Sequence, residues 1–137
     1  MEHLKEYSFE KLEVFKEARI LANKIYKITN KFPAEEKYGI VSQMRRASIS
    51  IISNIAEGSS RSSYKDKARF SEIAFGSLME LLSQSLIGLD QKYLTNTDLL
   101  EIRVMISSVG YKLNNLKASQ LKNIANLKKP QTPSQPI

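Results

Sequence analysis

The sequence predicts an all-α protein, an antiparallel up-and-down four-helix bundle. Three observations predict it. Apolar residues recur at alternating steps of three and four through four long stretches, which places them on one face of a helix. The stretches are separated by short breakers, Phe32-Pro33, Gly58 with the serines up to Ser63, and Thr95 to Asp98. No pair of alternating runs flanks a hairpin turn. Four amphipathic helices of roughly 20–30 residues, each ~30–45 Å long, joined by short connections bury their stripes against one another. One unit over residues 1–128 is expected, with helices at about 9–31, 36–57, 64–94 and 98–124.

The first helix is expected to start with Ser8 as its cap and to stop before Pro33. Val14, Ala18, Leu21, Ile25 and Ile28 form its apolar line, and Phe15, Ala22 and Tyr26 widen it. Lys16, Arg19, Lys24, Lys27 and Lys31 gather opposite, and no acid occurs from Ala18 to Ala34. Favourable placement near the negative helix end accounts for Lys27 and Lys31, but reaches less well to Arg19 and Lys24.

In the second helix Ile40, Met44, Ile51 and Ile55, flanked by Val41, Ser48 and Ile52, make the buried face, and Gly58 is the expected stop. Ser63 can cap the third helix. There Ala68, Phe75, Leu78, Leu82, Leu86 and Leu89 are expected inside, while Ala74, Ser77, Ser85 and Gly88 form a small-residue line that permits close helix approach. Asp98 and Glu101 suggest a capping box for the fourth helix. Its apolar heptad is the cleanest in the chain: Leu99, Ile102, Ile106, Val109, Leu113 and Leu116. Fraying is expected from Asn123 to Leu127. Residues 129–137, with three prolines, read as a flexible tail.

Composition narrows the chemistry. The 137 residues include no Cys, no Trp and one His, His3. Disulfides, thiolate metal sites, cysteine nucleophiles, His triads and His-rich metal cages are therefore excluded. The longest uncharged stretch, Ala47 to Ala56, is about half of the ~20 residues a spanning helix needs. The N-terminal MEHLKEYSFEKLE carries acids where a secretory signal has a basic and then an apolar run. The reading is a cytoplasmic protein with no membrane association.

Lys plus Arg number 21 against 14 Asp plus Glu, a net charge of +7. Residues 1–102 are nearly balanced. Residues 103–137 hold six bases (Arg103, Lys112, Lys117, Lys122, Lys128 and Lys129) and no acid. Such a segment attracts polyanions, although a basic helix end followed by a solubilising tail has the same composition.

Gln43, Arg46, Ser50, Asn54 and Glu57 fall within an arc of ~80° on the second helix, a polar heptad running opposite the apolar one. Gln, Ser and Asn suit fixed hydrogen bonds better than a freely solvated face. Glu57 lies near the negative end of its helix, and Arg46 is ~16 Å away along the axis, too far to pair with it. Glu57 therefore calls for a cation from elsewhere. The stripe reads as a contact surface between helices or subunits, or as a partly solvated face with a local Glu57–Arg61 pair.

The stretch FPAEEKYGIVSQMRRASISIISNIAEGSSR resembles the bacterial four-helix bundle family of 23S ribosomal RNA intervening-sequence proteins. Phe32, Pro33, Glu36, Tyr38, Gly39, Gln43, Arg45, Arg46, Ala47, Ser50, Ile51, Asn54, Ile55, Ala56, Glu57, Gly58 and Arg61 fit its pattern, with Ile40 in place of the usual Leu. Phe70, Ile73, Ala74, Gly76, Ser77, Leu78, Glu80 and Leu81 fit its third helix. The resemblance spans roughly residues 8–118. It implies a four-helix bundle that assembles as a homopentamer, and a similarity to the accessory protein of diversity-generating retroelements, a basic oligomer that works with a reverse transcriptase and nucleic acid. It implies no settled activity.

The function expected from these readings is non-enzymatic: an oligomeric basic bundle that binds RNA or DNA backbone as an accessory factor. A pentamer would carry about +35, five times the +7 of one chain. Candidate phosphate contacts are Lys24, Lys27, Lys31, Arg45, Arg61, Lys65, Lys67, Lys112, Lys117 and Lys122. Lys112, Lys117 and Lys122 step by five and make no single stripe, so no recognition helix is evident, and binding by shape and backbone charge is favoured. The alternative is a protein-interaction scaffold, for example for a polymerase or reverse transcriptase. Glu10, Glu13 and Glu17 lie on the polar side of the first helix, and Glu35 and Glu36 at a helix start, places that suit acids near the positive helix end. No carboxylates recur on the apolar faces, so no catalytic residue, metal ligand or cofactor is assigned. The six tyrosines are too dispersed along the sequence for a stacking platform.

Overall fold

The computed structural model describes residues 4–128. Both His3 and the expected tail at 129–137 lie outside the described residues. Four α-helices follow one another: α1 (Glu13–Thr29), α2 (Ile40–Ser60), α3 (Tyr64–Asp90) and α4 (Asn96–Lys128). Each packs on its neighbours in the order α1–α2–α3–α4–α1, and the diagonal pairs do not pack on each other. With short connections this ring is an up-and-down bundle. No strand occurs among the described residues.

The core forms where the apolar periodicity places it. Leu21, Ile25, Met44, Ile51, Leu78, Leu81, Ile102, Val109 and Leu113 are fully buried and meet along the bundle axis. Phe32 and Tyr93, with ring centroids 5.4 Å apart, close one end. Burial first, and then Glu36 and Glu35, hold the Tyr93 phenol above its usual pKa of 10.0.

Several limits differ from those the sequence suggests. Ser8 does not cap a long first helix. Residues Ser8–Lys11 form a 3₁₀ turn in which the Tyr7 backbone N–H donates to Glu10 Oε2 at 2.6 Å, and extended Leu12 separates it from α1. The break lets Phe9 meet Phe15 edge-on at 4.9 Å and Leu12 pack on the core. Glu36 belongs to a second 3₁₀ turn, Ala34–Glu36, and α2 begins only after Gly39.

Gly58 does not end α2, which runs on to Ser60. Its role is close approach: a Cβ there would lie 2.8 Å from the Phe70 Cβ. The small-residue line on α3 behaves as expected, with Ala74, Ser77, Ser85 and Gly88 all buried. On α3 Phe70 and Leu81 enter the core, while Leu86, expected inside, is left exposed. Tyr26 is likewise exposed at the edge of the α1 face.

Ser63 caps α3, its Oγ accepting from the Asp66 N–H at 3.1 Å. The helix ends at Asp90, where Lys92 takes the left-handed conformation with φ 63°. Tyr93 N–H bonds back to Gly88 O and Lys92 N–H to Leu89 O, both at 2.9 Å, the double closure of a Schellman motif. Thr95, not Asp98, caps α4. Asp98 N–H donates to Thr95 Oγ1 at 3.0 Å, and Thr95 N–H donates to Asp98 Oδ2 at 3.1 Å. Asp98 thus fills the acidic place of the capping box, three residues earlier than the Asp98–Glu101 arrangement, and α4 continues to Lys128.

Candidate nucleic-acid interface

Where a cation sits in the sequence says little about what it faces once helices pair. Lys24 forms an ion pair with Glu101 of α4. Lys112 reaches Glu17 of α1 at 2.9 Å, beside Ser108, which donates to the same carboxylate. Lys117 lies 3.8 Å from Glu72 of α3. Arg61 pairs with Glu57 at 2.6 Å and its guanidinium covers the Phe70 ring at 4.8 Å. Lys67 donates to the Ser59 carbonyl at 2.9 Å. The basic excess of α4 is therefore partly neutralised by acids of α1 and α3. Lys65 and Lys122, near the far end of the bundle, form no ion pair among the described residues.

Lys27, Lys31, Lys37, Arg45 and Arg46 are different. They belong to the last turns of α1, the connection and the first turns of α2, which meet at one end of the bundle. None has a carboxylate within 4.0 Å among the described residues.

Arg45 is the most constrained of them. Its Nε donates to Thr29 Oγ1 at 3.0 Å, its Nη2 to Asn30 Oδ1 at 2.9 Å, and its guanidinium lies 4.7 Å over the Tyr26 ring. Thr29 is buried and anchored in turn by its own bond to Ile25 O at 2.7 Å. Planar guanidinium, ring and amide thus fix one another, and the charge remains without an anion.

Beside this group lies an open cleft of about 610 Å³ whose walls include Tyr26, Lys37, Tyr38, Arg45, Arg46 and Ile49. Among the described residues no carboxylate lines it. Tyr38 is 89% exposed, with Lys37 Nζ 5.5 Å from its ring centre. The fold therefore gathers two tyrosines that the sequence separates, which corrects the expectation of dispersal for this pair. Sequence reasoning does not single out Tyr38, Lys37, Thr29 or Asn30 as site residues. The available signal is an exposed aromatic between Lys37 and Gly39 in a helix break.

The polar stripe of α2 borders α3. Ser50 and Ser77 hydroxyls meet at 2.8 Å, and Asn54 Nδ2 donates to Ser50 O at 2.8 Å. Ser50 is thus engaged with α3, and Asn54 buttresses Ser50 from within α2. Glu57 has its local partner in Arg61, the extended residue that follows the last turn of α2. Gln43 and Arg46 remain exposed beside a depression of about 410 Å³ that Glu80 also borders. No cluster of three or more His, Cys, Asp or Glu suited to a metal ion occurs among the described residues. No helix among them is long and apolar enough to cross a membrane.

In comparisons with known proteins, residues 10–115 match the model of a family described as 23S rRNA-intervening sequence protein. No curated protein matches the chain.

Proposed function

The chain belongs to the 23S rRNA-intervening sequence protein family, and from that premise we propose that it is a non-enzymatic accessory protein that binds RNA or DNA through backbone phosphates. The observation that carries the reading is the group Lys27, Lys31, Lys37, Arg45 and Arg46, five cations at one end of the bundle with no carboxylate partner among the described residues. Cations already paired within the chain gain little from a phosphate, because the existing pair must first be broken. Unpaired ones release the counterions of the nucleic acid on binding. Of the sequence candidates, Lys27, Lys31 and Arg45 belong to this group. Lys24, Arg61, Lys112 and Lys117 stabilise the fold through their acids. The protein acts as a homo-oligomer, which multiplies the basic end by symmetry.

The experiment is fluorescence anisotropy of nuclease-treated protein with structured RNA, single-stranded RNA and duplex DNA over a salt series. Binding that weakens log-linearly with salt supports the reading, and no binding at low salt overturns it. A second reading, a protein-interaction scaffold, draws on the outer face of α4. Leu100, Val104 and Tyr111 are each more than 60% exposed at helical spacing, and Ile20 of α1 lines a shallow groove with Val104. Salt-insensitive binding to a protein, without affinity for RNA or DNA, favours that reading.

A further inference from the structure

The cleft beside Arg45 combines features that phosphate binding alone does not require. Backbone contacts need only mobile cations. This cleft adds an aromatic ring at 89% exposure, Tyr38, and a second ring, Tyr26, stacked under a guanidinium that Thr29 and Asn30 hold in place. Exposing a tyrosine to this degree forgoes the burial of a large apolar surface. Fixing Arg45 on Tyr26 costs side-chain entropy that a solvated arginine keeps.

We propose that this cleft receives an unpaired nucleotide of single-stranded nucleic acid, its base stacked on Tyr38 and its phosphate held by Lys37 and Arg46. The inference rests on the nucleic-acid reading above and names the site and the strand state that it leaves open. Bases offer their flat faces to a protein only when unstacked, as in single strands, loops and ends, and aromatic rings and arginine planes are the surfaces that take them. A duplex keeps those faces covered. Nη1 of Arg45 is not used by the bonds to Thr29 and Asn30, so it can also donate to a base edge or phosphate. The cleft volume of about 610 Å³ falls within the range of pockets that hold small ligands, the scale of a nucleotide. The walls that the described residues form hold no carboxylate, which suits a phosphate.

The test compares a labelled single-stranded oligouridylate with a labelled RNA duplex, using the full chain, Tyr38→Ala and Tyr38→Phe, with thermal melts to verify that each variant folds. Tyr38→Ala is expected to lower the ratio of single-strand to duplex affinity about tenfold, and Tyr38→Phe, which keeps the ring, to stay within about twofold of wild type. The chain has no Trp, so its intrinsic emission is tyrosine emission. The single strand should quench part of it in wild type, and less of it in Tyr38→Ala. A wild type that binds both probes while Tyr38→Ala keeps the same ratio overturns the stacking site and leaves phosphate binding intact. A wild type that binds neither probe at low salt overturns both.

Discussion

The guanidinium of Arg45 lies 4.7 Å above the ring of Tyr26 and joins α2 to α1 through the side chain of Thr29. The arrangement needs a planar cation, since the same group must cover a ring and direct two N–H bonds along its edge. Lysine keeps the charge and loses the fork. Arg45→Lys should lower stability by about 1 kcal/mol in urea unfolding, a value discounted for the partial exposure of the site. A variant as stable as wild type would contradict the anchoring role.

Gly58 and Gly76 both lie inside helices and are expected to respond to alanine in opposite directions. A Cβ at Gly58 meets the Phe70 Cβ at 2.8 Å, an atom that cannot move without its backbone. Gly58→Ala should therefore cost about 1–2 kcal/mol, the overpacking penalty less the gain in helix propensity. Gly76 has nothing within 4 Å of its Cβ position. Gly76→Ala should add about 0.5–1 kcal/mol. Paired denaturation curves decide both, and equal shifts for the two would rule out the close α2–α3 approach as the reason for Gly58.

Lys92 holds a left-handed conformation, φ 63°, at the position that follows the C-cap of α3. Glycine takes that conformation without the clash of a Cβ. Lys92→Gly should raise stability by roughly 0.5–1 kcal/mol, since the folded-state strain it removes exceeds the added freedom of the unfolded chain. A lower melting temperature for the variant would contradict the prediction.

Glu57 and Arg61 form an exposed i,i+4 pair at the end of α2, and both side chains are about half exposed. Such pairs contribute about 0.3–0.5 kcal/mol, and here the carboxylate also opposes the helix dipole. Glu57→Gln should change stability by less than about 0.5 kcal/mol. A drop of about 2 kcal/mol or more in urea unfolding, accompanied by a change in sedimentation, would show that Glu57 serves a subunit contact instead.

The helices were legible because a 3.6-residue apolar period is a property of each segment alone. Val14, Ala18, Leu21, Ile25 and Ile28, and Ile102, Ile106, Val109 and Leu113, are buried as their spacing implies. What local spacing could not convey was the rotation of one helix against another. Leu86 and Leu81 both fit an inward face of α3, and the packed bundle buries Leu81 and leaves Leu86 exposed. Termini are hardest to read where one cap competes with another, as Thr95 with Asp98, or where Leu12 breaks a continuous pattern to satisfy packing. The basic residues were visible as a count but not as a surface. Lys112 and Lys24 give up their attraction for an outside anion to Glu17 and Glu101, acids distant in sequence. Tyr26 and Tyr38 come to share a cleft only through the reversal of the chain between α1 and α2.

The most direct measurement of the central claim is the salt dependence of RNA affinity for wild type and for a triple variant carrying Lys27→Ala, Lys31→Ala and Arg46→Ala. Removing one cation from a bound phosphate lowers the magnitude of the log–log slope by about 0.7 on a single strand, so the triple variant should show a slope shallower by roughly two. An unchanged slope, with the reduction appearing instead when Lys65 and Lys122 are replaced, would contradict the assignment of phosphate binding to the α1–α2 end of the bundle.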